Sequence, residues 1–220
     1  MATLCFRTAH TMVGEDMGIK VSILIPVWNQ EVLVIRCLDS IPRRDDIEVL
    51  VRDDGSTDRT LDNLIDYRMK HRNLNLRVFY NGTNRGVAYT KNRLLEDARG
   101  EYFNILDSDD YLYTEEYSRA VDDIDGSDLC LIDFATNDGF QHRLSPENHN
   151  LYCAQTMRFT RKDFAKGIKF PEEIRAADDW YFHIELTERN PSEHYTHIVA
   201  YHYNFPREGS LSDLKMKGLI

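Results

Sequence analysis

The sequence of 220 residues has few cysteines and no long apolar run. Its four cysteines are scattered, with no CxxC pair and no histidine at metal-binding spacing, so neither a disulfide framework nor a zinc site is indicated. This cysteine usage fits a reducing compartment best. No segment approaches the roughly 20 apolar residues that a membrane-spanning helix needs. We therefore expect a cytoplasmic protein, which can still be peripheral to a membrane.

Positive charge is also scarce. The chain has 27 Lys and Arg against 37 Asp and Glu, a formal net charge of −10. A surface of this sign repels phosphate backbones, so bulk nucleic-acid binding is disfavoured. Residues 1–18 show neither a continuous apolar stretch nor periodicity, and we expect a flexible leader there. The remaining residues, 19–220, have the length and the 42% apolar content of a single folded domain.

Strand and helix patterns alternate through the first two-thirds of the chain. The predicted strands are Val21–Val27, 47–52, Leu76–Tyr80 and 102–106, and the predicted helices are 31–40, 57–70 and 86–99. Beyond these, we predict a strand at 129–135, a long loop at 136–152, a helix at 178–189 and a strand at 198–203. Strands separated by helices of this length imply crossover connections. The pattern therefore predicts an α/β fold with a Rossmann-like, mostly parallel central sheet flanked by helices.

Polar clusters follow the first four predicted strands. They occupy residues 28–29, 53–56, 81–86 and 107–110. One such cluster would be an ordinary turn. Ligands of open α/β sheets bind beyond the carboxyl ends of the strands, so four clusters at one edge predict a binding site.

Asp107 and Asp109 follow the fourth predicted strand. If the strand continues in extended form, their side chains point the same way. Hard carboxylate oxygens suit Mg²⁺ or Mn²⁺, which commonly bridge to a substrate diphosphate. An isolated pair of this kind is more often a solvated acidic turn. Because this pair ends a buried strand and faces a second acidic strand end, we predict a metal–diphosphate site.

Asp53 and Asp54 follow the second predicted strand, where Gly55 permits a tight turn. Capping of the next helix needs only one polar residue, so both carboxylates are left to accept from ribose hydroxyls or a base N–H. A plain strand–helix turn explains this motif equally well.

Asp178 and Asp179 open the predicted helix at 178–189, beside Trp180. The positive end of a helix favours an ionised carboxylate, which suits a general base acting on an acceptor hydroxyl. Ordinary N-capping explains one aspartate but not two.

Two residues near the end of the chain are further candidates. Arg207 follows the last predicted strand and could reach a diphosphate. His202 could be an additional metal ligand, although its place in an alternating strand favours simple packing.

Six motifs, in order along the chain, resemble glycosyltransferase family 2. They are VSILIPVWN at 21–29, VRDDGSTD at 51–58, NRG at 84–86 with KN at 91–92, DSDD at 107–110, DDW at 178–180, and Tyr203 with GSLS at 209–212. Each is weak alone, but six in order are specific. The resemblance implies the GT-A fold, with a nucleotide-sugar-binding part at 19–112 and a small acceptor-side part at 113–220.

The resemblance also implies an inverting sugar transfer from a nucleoside-diphosphate donor to an acceptor hydroxyl. The implied donor-binding residues are Pro26, Trp28, Asp53, Asp54, Lys91 and Asp107. The implied ligands of Mn²⁺ or Mg²⁺ are Asp109, as the principal one, and Asp107. The implied catalytic residues are Asp179, as the base, and Asp178, toward the acceptor. A UDP-sugar is the family's usual donor, the acceptor is a glycan or another hydroxyl compound, and homo-oligomerisation stays open.

Other protein classes share parts of this pattern. A nucleotide-sugar-binding pseudoenzyme on the same fold would keep Asp54 and Asp109 but need no base, and it remains the alternative. A phospho-acceptor receiver domain has its acidic pair after the first strand, whereas here that strand ends in residues 26–29. The dinucleotide-binding and Walker glycine motifs are both absent from the sequence.

Overall fold

The computed structural model describes residues 18–148, 155–174 and 178–208. Its strands are β1 (Val21–Val27), β2 (Ile47–Asp53), β3 (Leu76–Tyr80), β4 (Tyr102–Ile105), β5 (Tyr111–Leu112), β6 (Leu129–Thr136), β7 (Gln141–His142), β8 (Arg158–Arg161) and β9 (Glu193–Tyr203). Its α-helices are α1 (Leu33–Asp39), α2 (Thr60–Lys70), α3 (Val87–Asp97), α4 (Thr114–Asp122) and α5 (Asp178–Thr187). None of these described helices is long and apolar enough to cross a bilayer. The predicted leader and the C-terminal GSLS motif lie outside the described residues.

The described strands form one sheet in the order β3-β2-β1-β4-β8-β6-β9-β5, and β7 pairs with β6. The pairs β2–β3, β1–β2 and β1–β4 are parallel, as are β6 and β9. Strand β8 runs antiparallel to both β4 and β6. The predicted α/β fold with a mostly parallel central sheet is therefore confirmed. Because β1 to β4 are parallel, the loops that follow them meet at one edge.

Strand β1 is buried along its whole length, as its run of apolar and β-branched residues predicts. Its pairing with β4 ends where the N–H of Leu106 donates to the carbonyl of Leu24 at 2.9 Å. Two residues further along β1, Pro26 has no N–H and cannot donate a backbone hydrogen bond. The chain then leaves the sheet and turns, and the N–H of Asp110 donates to the carbonyl of Asp107 at 3.0 Å. The DSDD segment is therefore a turn, and the extended course that would align Asp107 with Asp109 is not adopted.

Asn104, buried in β4, joins this strand to the later part of the chain. Its Nδ2 donates to the carbonyls of Thr156 at 2.8 Å and Arg158 at 2.9 Å. Its Oδ1 accepts from the Tyr117 hydroxyl of α4 at 3.0 Å. One side chain thus satisfies groups from three segments, so that β8 continues the same sheet beyond β4.

Candidate functional site

The loops after β1 and β2 are locked together. Asn29 adopts a left-handed backbone with φ 51°, and its N–H donates to Ser56 Oγ at 2.8 Å. Its Oδ1 accepts from the N–H of Thr57, also at 2.8 Å. Asp53 Oδ1 accepts from the N–H of Ser56 at 2.8 Å. Asp53 is fully buried, so its carboxylate stabilises this turn from inside the protein and does not face solvent.

Asp54 fastens the loop after β3. Its Oδ1 accepts from the N–H of Arg85 at 2.8 Å and from Asn81 Nδ2 at 2.9 Å. Its Oδ2 accepts from the N–H of Gly86 at 2.8 Å. With three protein donors, this buried carboxylate shapes the loop. The direct nucleoside contact of Asp54 stays a prediction.

Gly55 brings the same two loops into backbone contact. Its φ of +75° is unfavourable for other residues. A Cβ atom there would lie 2.4 Å from the carbonyl carbon of Thr83. The close approach of the loops after β2 and β3 therefore requires glycine at this position.

Trp28 lies at the edge of the sheet where these loops meet. Its side chain is 52% exposed, directly after the end of β1. An exposed indole offers a flat apolar face against which a nucleobase can stack. Pro26 lies buried within β1, and its place in the donor site stays a prediction.

The DSDD turn is fastened to the chain that follows β9. The guanidinium of Arg207 forms an ion pair with Asp109. Asp110 accepts from the Tyr201 hydroxyl and, at 2.8 Å, from the N–H of Asn204. Asn204 Nδ2 also donates to the carbonyl of Asp109 at 3.0 Å. The sequence analysis did not identify Tyr201 or Asn204 as part of the site. The one sequence signal for them was Asp110, the carboxylate to which both donate.

Asp107 is partly buried, and its carboxylate makes no hydrogen bond or ion pair within the described residues. Burial raises its pKa to about 7, and the nearby Lys91 ammonium opposes that shift. The carboxylates of Asp109, Asp179 and Asp178 raise it further. Residues from the turn after β4, from α3 and from α5 thus act on one another electrostatically at this edge.

Lys91 holds the start of α5. Its Nζ donates to Asp178 Oδ2 at 2.8 Å and to Asp179 Oδ1 at 2.7 Å. Burial opposes the charge, but Asp179 and Asp178 raise the pKa of Lys91 above its usual value. The ammonium is buried and positions the two aspartates. The nucleotide contact of Lys91 stays a prediction.

The neighbouring Asn92 secures the segment that precedes α5. Its Oδ1 accepts from the N–H of Phe170 at 2.9 Å, and its Nδ2 donates to the Phe170 carbonyl at 2.9 Å. Nδ2 also donates to Glu172 Oε1 at 2.9 Å. Phe170 stacks on Phe182 of α5 with ring centroids 4.2 Å apart. Asn92 belongs to the KN motif at 91–92, but the amino-acid sequence alone assigns no role to this residue.

His202 does not fit the metal-ligand prediction. Its Nδ1 lies 2.9 Å from the Tyr113 hydroxyl, and its Nε2 lies 2.9 Å from Asn137 Oδ1. The ring stacks on Tyr111 with centroids 4.2 Å apart. Burial and the charge of Arg36 lower the pKa of His202. With both nitrogens engaged, the packing interpretation is the better one.

The described residues contain no group of three or more His, Cys, Asp or Glu placed to hold a metal ion. Magnesium-like ions often bind through one or two carboxylates and complete their shell with water and substrate phosphates. Asp107 has no hydrogen-bond partner within the described residues, and Asp109 is partly exposed beside Arg207. These two residues therefore fit an ion that arrives with a diphosphate.

The sequence matches one protein-family model. That model, described as glycosyl transferase family 2, covers residues 22–177. The poly(ribitol-phosphate) beta-N-acetylglucosaminyltransferase TarS of Staphylococcus aureus strain MW2 is 31% identical over 210 residues. The match spans 86% of this chain and 36% of TarS, so the chain covers about a third of that relative's length.

Solved structures share the fold. The crystal structure of S. aureus TarS 1-349 in complex with UDP-GlcNAc matches with a TM-score of 0.73 and 30% identity, over 87% of this chain and 60% of that one. A mannosyltransferase from Pyrobaculum calidifontis, in complex with GDP-Man and Mn²⁺, matches with a TM-score of 0.68 and 20% identity, over 86% and 58% of the two chains. The predicted GT-A fold is thereby confirmed.

Proposed function

The chain belongs to glycosyltransferase family 2, and from that premise we propose that it transfers a sugar from a nucleoside-diphosphate donor to an acceptor hydroxyl, with inversion at the anomeric carbon. One observation carries the proposal. Lys91 holds the carboxylates of Asp178 and Asp179 within electrostatic reach of Asp107. A candidate base and a candidate metal ligand, more than 70 residues apart in sequence, therefore share one site.

The donor in this proposal is a UDP-sugar, with UDP-GlcNAc as the first candidate. TarS, at 30% identity, was solved with UDP-GlcNAc. Trp28 supplies the exposed face for the base, on loops that Asp54 and Gly55 hold together. Arg207, now paired with Asp109, can turn its planar guanidinium to the diphosphate.

Asp107 and Asp109 would hold a Mn²⁺ or Mg²⁺ ion together with the donor. When bound, such an ion neutralises the charge that develops on the leaving diphosphate. The protein's part is to present these two carboxylates on a turn whose third aspartate, Asp110, is anchored by Tyr201 and Asn204. That anchoring fixes the backbone of the turn that carries Asp107 and Asp109.

Asp179 is the proposed general base. Its side chain is 30% exposed, whereas that of Asp178 is 9% exposed. Lys91 holds Asp179 Oδ1, and Asp179 Oδ2 accepts no hydrogen bond from any described residue. That oxygen takes the proton of the acceptor hydroxyl as the hydroxyl oxygen bonds to the anomeric carbon. The bond from that carbon to the diphosphate breaks on the opposite face, which inverts the configuration.

The test is a donor screen by calorimetry. UDP-, GDP-, TDP- and CMP-sugars are titrated with and without Mn²⁺, and each donor that binds is assayed for hydrolysis. We expect one UDP-sugar to bind in a metal-dependent manner and to hydrolyse slowly. If no donor binds, the donor site is wrong. If a donor binds but is neither hydrolysed nor transferred to any acceptor, the binding-module alternative is favoured.

A further inference from the structure

Strand β3 forms one edge of the sheet, and among the described strands it pairs with β2 alone. The carbonyl of Asn75 and the N–H of Asn81 both bond to β2, each at 2.9 Å. Because successive residues of a strand turn their backbone groups to opposite sides, the odd-numbered residues of β3 face β2. The N–H and C=O groups of Val78 and Tyr80 therefore point away from the sheet, where no residue of the described chain pairs with them.

The usual protection of an edge strand is absent from β3. Edge strands are commonly blocked by proline, by lysine or by a bulge, but β3 reads LRVFY and pairs with β2 in an unbroken register. Its one charge, on Arg77, is engaged within the molecule. That side chain donates to the carbonyl of Asp97 at 2.8 Å and lies 3.3 Å from Glu48. The outer edge of β3 is therefore open to a further strand.

An apolar groove lies beside this edge. Ile65 and Met69 of α2 are 46% and 59% exposed, and Tyr80 of β3 is 50% exposed. These three side chains line one groove together with Leu61 and Val78. The open backbone edge and the apolar side of α2 thus form one continuous surface, which we call the β3-edge surface. Apolar surface of this kind commonly marks a contact with another protein.

The charges of α2 are separated along the helix. Asp62 lies in its first turn, whereas Arg68 and Lys70 lie in its last turn. Asp62 and Arg68 are both exposed, and each is three residues from Ile65. In an antiparallel contact of two α2 helices centred on Ile65, Asp62 of each copy faces Arg68 of the other. The charge pattern is thus complementary to itself, which is what a twofold interface between identical chains requires.

We propose that the β3-edge surface is the interface of a twofold-symmetric homodimer. The two β3 strands pair antiparallel about Val78, whose N–H and C=O bond to Val78 of the other copy, so that one sheet runs through both chains. Arg77 then lies opposite Phe79 of the other copy, and no like charges face each other across the pair. The contact uses this edge once and therefore closes at two copies. It involves neither Asp107 nor Asp179, so the inference does not depend on the proposed function.

The oligomeric state of the full chain tests the proposal. Sedimentation equilibrium in a reducing buffer, which excludes dimers linked through cysteine, is measured across the micromolar concentration range. We expect a reversible species of twice the 25.8 kDa mass of one chain. A monomer at every concentration overturns the proposal. A mass that continues to grow beyond the dimer also overturns it, because the proposed contact is closed.

Charge reversal on α2 locates the interface. Asp62→Arg and Arg68→Asp should each raise the dissociation constant of the dimer at least about fivefold, because each places like charges opposite one another twice. The double variant Asp62→Arg/Arg68→Asp should return to within about twofold of the wild type, which also shows that the substituted chain folds. Glu115→Arg, at an exposed residue in the first turn of α4, is the matched control and should change nothing. A dimer that both single variants leave intact, or a double variant no tighter than the single ones, overturns the β3-edge surface as the interface.

Discussion

The ammonium of Lys91 donates to Oδ1 of Asp179 across 2.7 Å, although 88 residues separate the two in the chain. Lys91 lies on α3, and Asp179 lies in the first turn of α5. The proposed base is therefore held by a residue of a helix far earlier in the chain. Disturbing that lysine should affect folding and catalysis together.

Lys91→Met should be strongly destabilising, because it leaves two carboxylates in a buried site without their counter-charge. Breaking a buried ion pair from one side costs about 3–5 kcal/mol, which urea denaturation can measure. Lys166→Met, at an exposed lysine, is the control and should change little. Adding Asp178→Asn to Lys91→Met should recover part of the loss. A cost below about 1 kcal/mol would mean that the pair contributes nothing to the fold.

Gly55→Ala and Gly82→Ala form a matched comparison. Both glycines have positive φ, 75° and 77°, but only at Gly55 would a Cβ meet backbone atoms. We expect Gly55→Ala to lower the free energy of unfolding by about 2 kcal/mol more than Gly82→Ala does, and to lose UDP binding. Equal effects of the two substitutions, in denaturation and in UDP titration, would contradict the close packing of the two loops.

Asp109→Asn should abolish the metal-dependent part of donor binding. We expect the gain in UDP affinity on adding Mn²⁺ to fall at least about tenfold, or 1.4 kcal/mol, in calorimetric titrations. Asp125→Asn, at an exposed aspartate after α4, is the control and should keep the full gain. If Asp109→Asn also keeps it, Asp109 is not a metal ligand.

Asn104→Leu should destabilise the fold without touching the site. It removes the donor to the carbonyls of Thr156 and Arg158 and the acceptor of the Tyr117 hydroxyl, at a cost of about 3 kcal/mol. Tyr117→Phe, which removes one hydroxyl, should cost about 1 kcal/mol. Thermal or urea unfolding measures both, and equal costs would show that Asn104 does not bridge three segments.

The first half of the fold could be predicted closely from the sequence. Val21–Val27 and Leu76–Tyr80 have the predicted bounds, because a buried parallel strand is a short apolar run between turns. Helices α1 and α2 begin two and three residues later than predicted. The residues before them bind across the loops instead of entering a helix: the N–H of Glu31 donates to Asp58 Oδ2 at 3.3 Å.

In the second half, the strand predicted at 129–135 and the helix predicted at 178–189 are present as β6 and α5, and the strand predicted at 198–203 is the last part of β9. Other elements depend on contacts that no local pattern reveals. Strands β5 and β8 have two and four residues, and each pairs antiparallel with a strand far away in sequence. Arg158 opens β8 and is buried, although arginine usually indicates an exposed position. The predicted long loop at 136–152 contains the short strand β7 in its described part. The same limit applies to the site, where the partners of Lys91 and His202 follow from tertiary structure alone.

The role of Asp179 as general base is tested by comparing Asp179→Asn with the wild type in two assays on the same preparation. Calorimetry gives the affinity for the UDP-sugar with Mn²⁺, and a coupled assay gives the rate of sugar transfer and donor hydrolysis. We expect an affinity within about twofold of the wild type and a rate at least roughly 10²-fold lower, because a general base contributes about that much. Near-normal turnover by Asp179→Asn would contradict this role and remove Asp179 from the chemistry.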